Sequence, residues 1–380
     1  MLHDPNIHYL DNAATTMVNP EVIETITKAM AEHWANPSSL YTPGAHSELA
    51  LNKARADVAR TLGATAGEVY FTGCGSEGNN LAILGAACTR KWGKRIVCTG
   101  FEHPSVALPM QRLAQEGYDV QFVAPEADGH LNVDKMLELV DKNTILVAAM
   151  QVNNETGTAV DVARLAAGVK ARNDRTAVHV DGVQAWMRVP VRLANIDSYS
   201  VSGHKIHAPK GIGALYLRKG YHIEPPYLGG GQEKGMRPGT ENLPYAIGMA
   251  KAATLLSRTL PQRHKTLVEL NTRLREGLKQ FPEVTLNSPE DAVPEVLNFS
   301  LNVIRSETML HHLETMGVYI SSGSACSKGA ASHTLTAMGL EPRRIDTAIR
   351  ASFCADNTPE DVDALLEGLK TGLAALSRIR

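Results

Sequence analysis

Short runs of β-forming residues alternate with amphipathic stretches through much of the chain. Five such runs predict strands, at residues 68–72, 95–99, 120–123, 144–150 and 177–181. The run at 144–150 is almost wholly apolar, which is typical of a strand buried on both faces of a sheet. Helical periodicity fills the intervals between the runs. Strand, helix and strand repeated in this way predict an α/β fold, with a mostly parallel central sheet flanked by helices.

The pattern changes in the later part of the chain. After a stretch rich in glycine, proline and charge, two long helices are predicted, at 243–257 and 261–280. Short strands and helices follow them, as in a smaller α+β unit. Because 380 residues exceed what one compact core usually holds, we predict two domains. The large domain spans 15–260, and the small domain combines 1–14 with 261–380.

Composition and charge exclude several classes of function. The chain has 38 lysines and arginines and 40 aspartates and glutamates, and its net charge of −2 indicates neither a nucleic-acid surface nor a membrane surface. The sequence has no apolar run of bilayer length and does not begin like a signal peptide. Its five cysteines are scattered and form no C-x-x-C pair, which argues against a disulfide framework or a structural zinc site. We therefore expect a cytoplasmic protein without a metal, a membrane anchor or a direct nucleic-acid partner.

Polar residues follow the predicted strands, at the edge of the sheet where ligands of α/β proteins bind. Gly75 and Ser76 begin a helix, and a glycine-rich turn at a helix N-terminus suits a phosphate, although a plain tight turn fits equally well. His103 follows the next strand and could stack on a planar ring or move a proton, unless it is an ordinary loop histidine. Asn154 follows the buried strand, where a helix-capping role is an equally good interpretation.

An aspartate and a lysine make the pattern more specific. Asp181 ends a predicted strand, and a buried carboxylate at that point needs a cationic partner. Ser202, His204 and Lys205 form a Ser-x-His-Lys stretch, after which glycine and proline stop any regular element. A lysine amine held away from water can form a Schiff base with an aldehyde. The pair predicts a pyridoxal phosphate site, in which the pyridinium nitrogen would be the partner of Asp181.

Further short motifs extend this pattern over nearly the whole chain. They lie at residues 9–16, 36–39, 102–104, 153–157, 179–184, 202–211, 239–242, 321–326 and 349–350. With these motifs the sequence resembles the pyridoxal phosphate enzymes of the aspartate aminotransferase fold (fold type I, class V aminotransferases). Within that group it resembles the NifS/IscS-like cysteine desulfurases. The resemblance implies a large cofactor-binding domain and a smaller α+β domain that carries Cys326.

The resemblance implies pyridoxal 5′-phosphate as the cofactor and gives roles to the candidates around its ring. Lys205 would hold the cofactor as a Schiff base, and Asp181 would pair with the pyridine nitrogen. Gln184 would bond the ring hydroxyl. His103 would stack on the ring and assist proton transfer.

Other candidates receive roles at the phosphate and at the substrate. The phosphate contacts would be Gly75, Ser76, Ser202 and His204, with Thr240 from the partner subunit of a homodimer. Asn154 would lie near both cofactor and substrate. Arg350 would grip the substrate carboxylate in a bidentate fork, which a lysine could not reproduce.

Cys326 ends a segment of serine, glycine and alanine, residues 321–326. Small polar neighbours predict an exposed cysteine, as a nucleophilic thiolate requires. The alternative is a structural cysteine, since free cysteine is usually a small core residue. The resemblance implies that this thiolate takes sulfur from L-cysteine, which leaves L-alanine and a persulfide. The persulfide sulfur would pass to an acceptor protein, for example in iron–sulfur cluster assembly or tRNA thiolation.

Two other interpretations stay open. The first is another pyridoxal phosphate enzyme of the same fold, either a selenocysteine lyase or an aminotransferase. An aminotransferase has no use for Cys326, whereas a lyase could cleave a C–Se bond in the same site. The second is a non-catalytic scaffold for sulfur-transfer partners, against which Lys205 and Asp181 argue. The sequence does not identify the sulfur acceptor.

Overall fold

The computed structural model describes residues 6–322 and 331–379, so Cys326 lies outside the described residues. Within these ranges the strands are β1 (His8–Tyr9), β2 (Val69–Thr72), β3 (Arg95–Thr99), β4 (Asp119–Val123), β5 (Thr144–Met150), β6 (Ala177–Asp181), β7 (Ser198–Ser202), β8 (Gly213–Leu217), β9 (Thr285–Leu286), β10 (Val296–Ser300), β11 (Val318–Tyr319), β12 (Ser321–Ser322) and β13 (Ala348–Ser352). The helices are α1 (Pro20–Glu32), α2 (Thr42–Leu62), α3 (Gly75–Thr89), α4 (Pro104–Gln115), α5 (Val133–Glu138), α6 (Val162–Arg172), α7 (Leu243–Leu278), α8 (Ser306–Glu314), α9 (His333–Ala337), α10 (Pro342–Asp346) and α11 (Pro359–Ala375).

The central sheet has the strand order β2-β8-β7-β6-β5-β3-β4. Strands β3 to β7 pair in parallel, and β8 runs antiparallel to both β2 and β7. Along β5, Val147 and Ala149 belong to one buried cluster, whereas Leu146 and Ala148 belong to another. Alternate side chains of a strand point to opposite faces, so β5 is buried on both faces. The predicted α/β fold with a mostly parallel sheet is therefore confirmed.

The parallel pairing of β6 with β7 is what brings the predicted site together. Asp181 ends β6 and pairs in register with Ser200 of β7. Lys205 lies in a single 3₁₀ turn that follows β7 directly. One crossover between neighbouring strands thus places the aspartate and the lysine at the same edge of the sheet.

Helix α7 corrects the expectation of two separate helices around Pro261. One helix runs from Leu243 to Leu278, and Pro261 lies inside it. A proline usually ends or kinks a helix because it lacks an N–H donor. Here both halves are held by packing, the first against α1 and α2 and the second against α11. None of the helices in the described ranges, α7 included, is both long and apolar enough to cross a membrane.

A second core lies beside the central sheet. The sheet β12-β13-β10-β9 and helices α8 and α11 surround it, and the second half of α7 contributes Leu267, Leu270 and Leu274. Leu10, from the start of the chain, packs into this core as well. The domain boundaries at residues 14 and 260 stay a prediction.

Candidate active site

A cavity of about 270 Å³ opens at the carboxyl ends of the parallel strands. Its lining includes the predicted residues Gly75, Ser76, His103, Asn154, Asp181, Gln184, Ser202, His204, Lys205 and Arg350. It also includes Ala13, Ala14, Cys74, Ser105, Met150 and Val183, for which we predicted no role. The fold therefore gathers these candidates in one place, although they come from many separate segments.

Asp181 is a buried carboxylate that accepts hydrogen bonds from neutral groups. Its Oδ1 accepts from the backbone N–H of Val183 at 2.9 Å, and its Oδ2 accepts from Nδ2 of Asn79 at 2.8 Å. No ion pair among the described residues includes Asp181, which is only 4% exposed. A buried carboxylate calls for a positive partner. A protonated pyridine nitrogen would supply that charge.

Asn79 connects the groups around Asp181, and we predicted no role for it from the sequence. Its Nδ2 also donates to Ser105 Oγ at 2.9 Å, and its Oδ1 lies 3.0 Å from Nε2 of His179. Burial lowers the pKa of His179 to about 3, so the ring is neutral and its Nε2–H donates to Asn79. Asn79 lies one helical turn after Gly75, so helical periodicity was the signal that could have placed it on the cavity side of α3.

His103 caps the N-terminus of α4. Its Nδ1 accepts from the backbone N–H of Ser105 at 3.1 Å. Burial lowers the pKa of His103, and Lys205 lowers it further, while Asp181 acts in the opposite direction. The neutral ring therefore carries its proton on Nε2, because Nδ1 is the acceptor.

The amine of Lys205 is held by the turn near the start of the chain. Its Nζ donates to the carbonyl oxygens of Ala13 and Ala14, at 2.6 Å each. Gln184 Nε2 also donates to the Ala13 oxygen, at 2.8 Å, and its Oε1 accepts from Arg188. The second N–H of the Gln184 amide is left for a ring hydroxyl.

The part of the cavity next to the N-terminus of α3 suits an anion. Gly75 is the first residue of α3, and the backbone N–H groups of a first helical turn have no acceptor within the helix. A Cβ at Gly75 would lie 2.4 Å from Val183 Cγ2, so no side chain fits there. Ser202 Oγ is buried and has no hydrogen-bond partner among the described residues. Burial lowers the pKa of His204 to about 4, so His204 would contribute as a neutral group.

Arg350 lies on β13 with two of its three nitrogens already engaged. Nη2 donates to Asp11 Oδ1 at 2.7 Å, and Nη1 donates to the carbonyl oxygen of Asn154 at 2.9 Å. Its Nε is buried without a partner among the described residues. A buried and unused N–H is costly unless a ligand accepts from it, and a substrate carboxylate would do so.

Comparisons with known proteins agree with this geometry. Residues 8–365 match the family model for aminotransferase class-V. The chain belongs to the aminotransferase class-V family. It is 39% identical, over 372 residues, to a cysteine desulfurase of Trichormus azollae, which covers 95% of this chain and 92% of that protein. It is also 39% identical, over 365 residues, to a cysteine desulfurase IscS of Methanosarcina thermophila, covering 94% and 90% respectively. A solved structure of a NifS-like protein superposes with a TM-score of 0.92 at 36% identity and covers 97% of this chain and 99% of that one.

The cysteine desulfurases of the class-V family depend on pyridoxal phosphate. The cavity fits that cofactor on three observations made above. They are the buried Asp181 carboxylate and the Ser202 Oγ close to Gly75, which have no cationic partner and no hydrogen-bond partner, respectively, in the described part of the chain, and the Lys205 amine in the same cavity. The family assignment and the predicted cofactor are thus confirmed, whereas the role of each residue stays a prediction.

Among the described residues, Thr240 is the predicted site residue that this class-V enzyme does not bring to the cavity. Thr240 is exposed and lines a separate cavity together with Gly73 and Arg237. Cys326 lies outside the described residues. Ser321, which begins the segment that leads to Cys326, pairs in register with Arg350.

Proposed function

We propose that this chain is a cysteine desulfurase that converts L-cysteine to L-alanine and passes the sulfur, through Cys326, to an acceptor protein. The observation that carries the proposal is the shared cavity. It joins a lysine amine, a buried carboxylate and an arginine. Within the described ranges the carboxylate has no ion-pair partner and the arginine Nε–H has no acceptor. This combination suits an amino acid bound to a pyridine cofactor better than it suits a scaffold without catalytic activity.

The residues divide into three sets by what they would hold. Asp181, Gln184 and His103 would hold the cofactor ring, Gly75, Ser76, Ser202 and His204 its phosphate, and Asn154 and Arg350 the substrate. The cofactor, when bound, supplies an electron sink next to the Cα of the substrate. Lys205, whose amine lies in the cavity, would take the Cα proton and later return it to carbon. Neutral His103, with its proton on Nε2, would assist the second transfer.

Arg350 would fix the orientation of the substrate. Its Nε would donate to the substrate carboxylate, while Asp11 and Asn154 keep the guanidinium in place. A carboxylate bound there leaves the amino group and the side chain of the substrate to point elsewhere in the cavity. Such fixed placement of reacting groups is a large part of enzymatic rate acceleration.

Cys326 would carry out the sulfur transfer as a thiolate. Its Sγ forms an S–S bond with the substrate sulfur, and the Cβ–S bond breaks with its electron pair left on carbon. A proton then adds to that carbon, which gives alanine. The sulfur is oxidised as the carbon is reduced, so no external oxidant is needed. A thiol of the acceptor can then take the outer persulfide sulfur, which restores the Cys326 thiol.

The protein would act as a homodimer in the cytoplasm. Thr240 is exposed in this chain, which suits a residue that reaches the phosphate site of the partner subunit. Trp34, Leu40 and Leu228 are 72%, 102% and 94% exposed, and a second copy could cover such large apolar side chains. The scattered cysteines support a reducing compartment.

The decisive experiment compares products from L-cysteine between the native protein and Cys326→Ala, with a thiol reductant present. We expect equimolar alanine and sulfide from the native protein. We expect neither product from the variant, although its cofactor absorption should be unchanged. Products that survive in Cys326→Ala would contradict the proposal and favour a lyase, with selenocysteine as the next substrate to test.

A further inference from the structure

A second cluster of reactive side chains lies outside the cavity that we assign to the cofactor. His207, Cys354 and Asp356 each offer one ligand atom, and these three atoms all lie within 4.8 Å of one another. The residues come from distant parts of the chain, so no spacing in the sequence could have revealed the cluster. His207 follows the 3₁₀ turn of Lys205, and Cys354 follows the strand of Arg350.

The ring of His207 is held in one tautomer. Its Nδ1 lies 2.9 Å from the carbonyl oxygen of Met17, so Nδ1 carries the proton and Nε2 keeps its lone pair. Metal-binding histidines are usually oriented in this way, by a hydrogen bond from the nitrogen that does not bind the metal.

The backbone of His207 is also unusual, because its φ is +60°, in the left-handed region that non-glycine residues seldom adopt. Two hydrogen bonds hold it there. The His207 N–H donates to Thr16 Oγ1 at 2.7 Å, and the His207 carbonyl accepts from the N–H of Asn19 at 3.0 Å. The position of the ring is thus determined by neighbouring groups and not by a relaxed loop.

Cys354 lies in a loop whose geometry is fixed by Asn357. The N–H of Cys354 donates to Asn357 Oδ1 at 2.9 Å, and Nδ2 of Asn357 donates to the Tyr9 carbonyl at 2.9 Å. Zinc binds cysteine as a thiolate, so binding at Cys354 would release the thiol proton.

Two arginines lie near the cluster and oppose a cation, the buried Arg188 and the partly buried Arg263. The Cys354 thiolate and the Asp356 carboxylate would supply two negative charges to a divalent ion. A ligand set of nitrogen, sulfur and oxygen suits zinc, whereas magnesium and calcium prefer oxygen alone.

The geometry needs only a small adjustment. Zinc bonds of about 2.0–2.3 Å at tetrahedral angles place ligand atoms roughly 3.5 Å apart. The three ligand atoms lie within 4.8 Å of one another, and the exposed side chain of Asp356 can rotate to bring its carboxylate closer. His207 and Asp356 also line a cavity of about 380 Å³, which has room for a water molecule as the fourth ligand.

We propose that His207, Cys354 and Asp356 form a binding site for one zinc ion. The ion would join the segment that follows Lys205 to the loop that follows the Arg350 strand. It would thus tie together the two elements that carry the proposed cofactor lysine and the proposed substrate arginine. The proposal does not depend on the desulfurase reaction.

The test is a titration of the cofactor-loaded protein with zinc, carried out on Cys326→Ser so that this second thiol does not compete. We expect one zinc ion per chain. The substitutions Cys354→Ser and His207→Asn should each weaken zinc binding by about tenfold or more. Asparagine is chosen at residue 207 because it tolerates left-handed backbone. Cys88→Ser is the matched control, since Cys88 is an exposed cysteine outside the cluster, and it should bind zinc like the parent.

Cobalt supplies a second readout that does not rely on affinity. Tetrahedral cobalt bound to one thiolate should give visible ligand-field bands at longer wavelengths than the cofactor absorbs, and Cys354→Ser should abolish them. Unchanged cofactor absorption and Tm would show that each variant is folded. Equal zinc affinity in Cys354→Ser and Cys88→Ser, or zinc X-ray absorption without a sulfur neighbour, would overturn the proposal.

Discussion

Asp11 and Arg350 form an ion pair in which Nη2 of the arginine lies 2.7 Å from Oδ1 of the aspartate. The two side chains are 20% and 7% exposed, so the pair is largely shielded from water. Asp11 comes from the start of the chain, just after β1, whereas Arg350 comes from β13 near its end. With Nη1 on the Asn154 carbonyl, the guanidinium has one orientation, and its Nε is left for the substrate carboxylate that we propose. Asp11 is therefore a positioning residue for Arg350.

Loss of Asp11 should weaken substrate binding more than it slows the chemistry. A hydrogen bond to a charged group contributes about 1.5–3 kcal/mol, which corresponds to a change of about tenfold or more. We expect Asp11→Ala to raise the KM for L-cysteine by about tenfold, with a smaller effect on kcat. Steady-state kinetics measured by alanine release would show this.

Asp11→Asn is the matched variant, because the amide keeps an oxygen acceptor for Arg350. Its KM should lie between those of the native protein and Asp11→Ala. A fall in kcat at unchanged KM in Asp11→Ala would mean that Asp11 acts on the reaction itself and does not position Arg350.

Asn79 should matter for both cofactor binding and stability. Asn79→Ala removes a donor to Asp181 and leaves the buried Nε2–H of His179 without its acceptor. Each unsatisfied buried group costs about 1–3 kcal/mol, so we expect a loss of about that size in urea unfolding and cofactor that dissociates more readily. Asn80→Ala is the control, because Asn80 is only partly buried and donates to the Ser76 carbonyl at 2.9 Å. Equal losses in the two variants would contradict a specific role for Asn79.

The sequence allowed the strand-end candidates to be found because each belongs to a short motif that follows a strand. Asp181 and Lys205 could be related to each other because one crossover separates them. Asn79 could not be related to its partners in this way, since Ser105 lies on α4 and His179 lies on β6. The contacts of Lys205 with residues 13 and 14 use backbone carbonyls, which give no side-chain signal. The proposed zinc site at His207 could not be predicted from the sequence either, because it exists only when distant loops pack together.

Pro261 should reduce the stability of α7 locally. The helix continues through it because both halves pack, but the missing N–H and the proline ring oppose helix formation. Alanine in a helix interior is favoured over proline by about 3 kcal/mol, and part of this gain is offset because proline restricts the unfolded chain.

We expect Pro261→Ala to raise the free energy of unfolding by about 1–3 kcal/mol. Pro359→Ala, at the first turn of α11 where proline is well tolerated, should give no such gain. A destabilised Pro261→Ala would mean that α7 needs a bend at this point.

Glu102 should make the protein less stable as the pH rises towards 8. It is buried, its Oε1 accepts from Thr99 and from the Met150 N–H, and its Oε2 has no partner among the described residues. Burial raises the pKa of Glu102 from its usual 4.5 to about 8.

The folded protein therefore keeps a proton that the unfolded chain loses above about pH 4.5. The stability that this proton provides is complete below pH 4.5 and is lost as the pH rises through about 8. Such a shift amounts to a few kcal/mol, at most about 5. We expect Glu102→Gln, which does not titrate, to show a flatter pH dependence of its unfolding free energy between pH 5 and about 8. Parallel pH profiles for the native protein and Glu102→Gln would show that Glu102 is already ionised in the folded state.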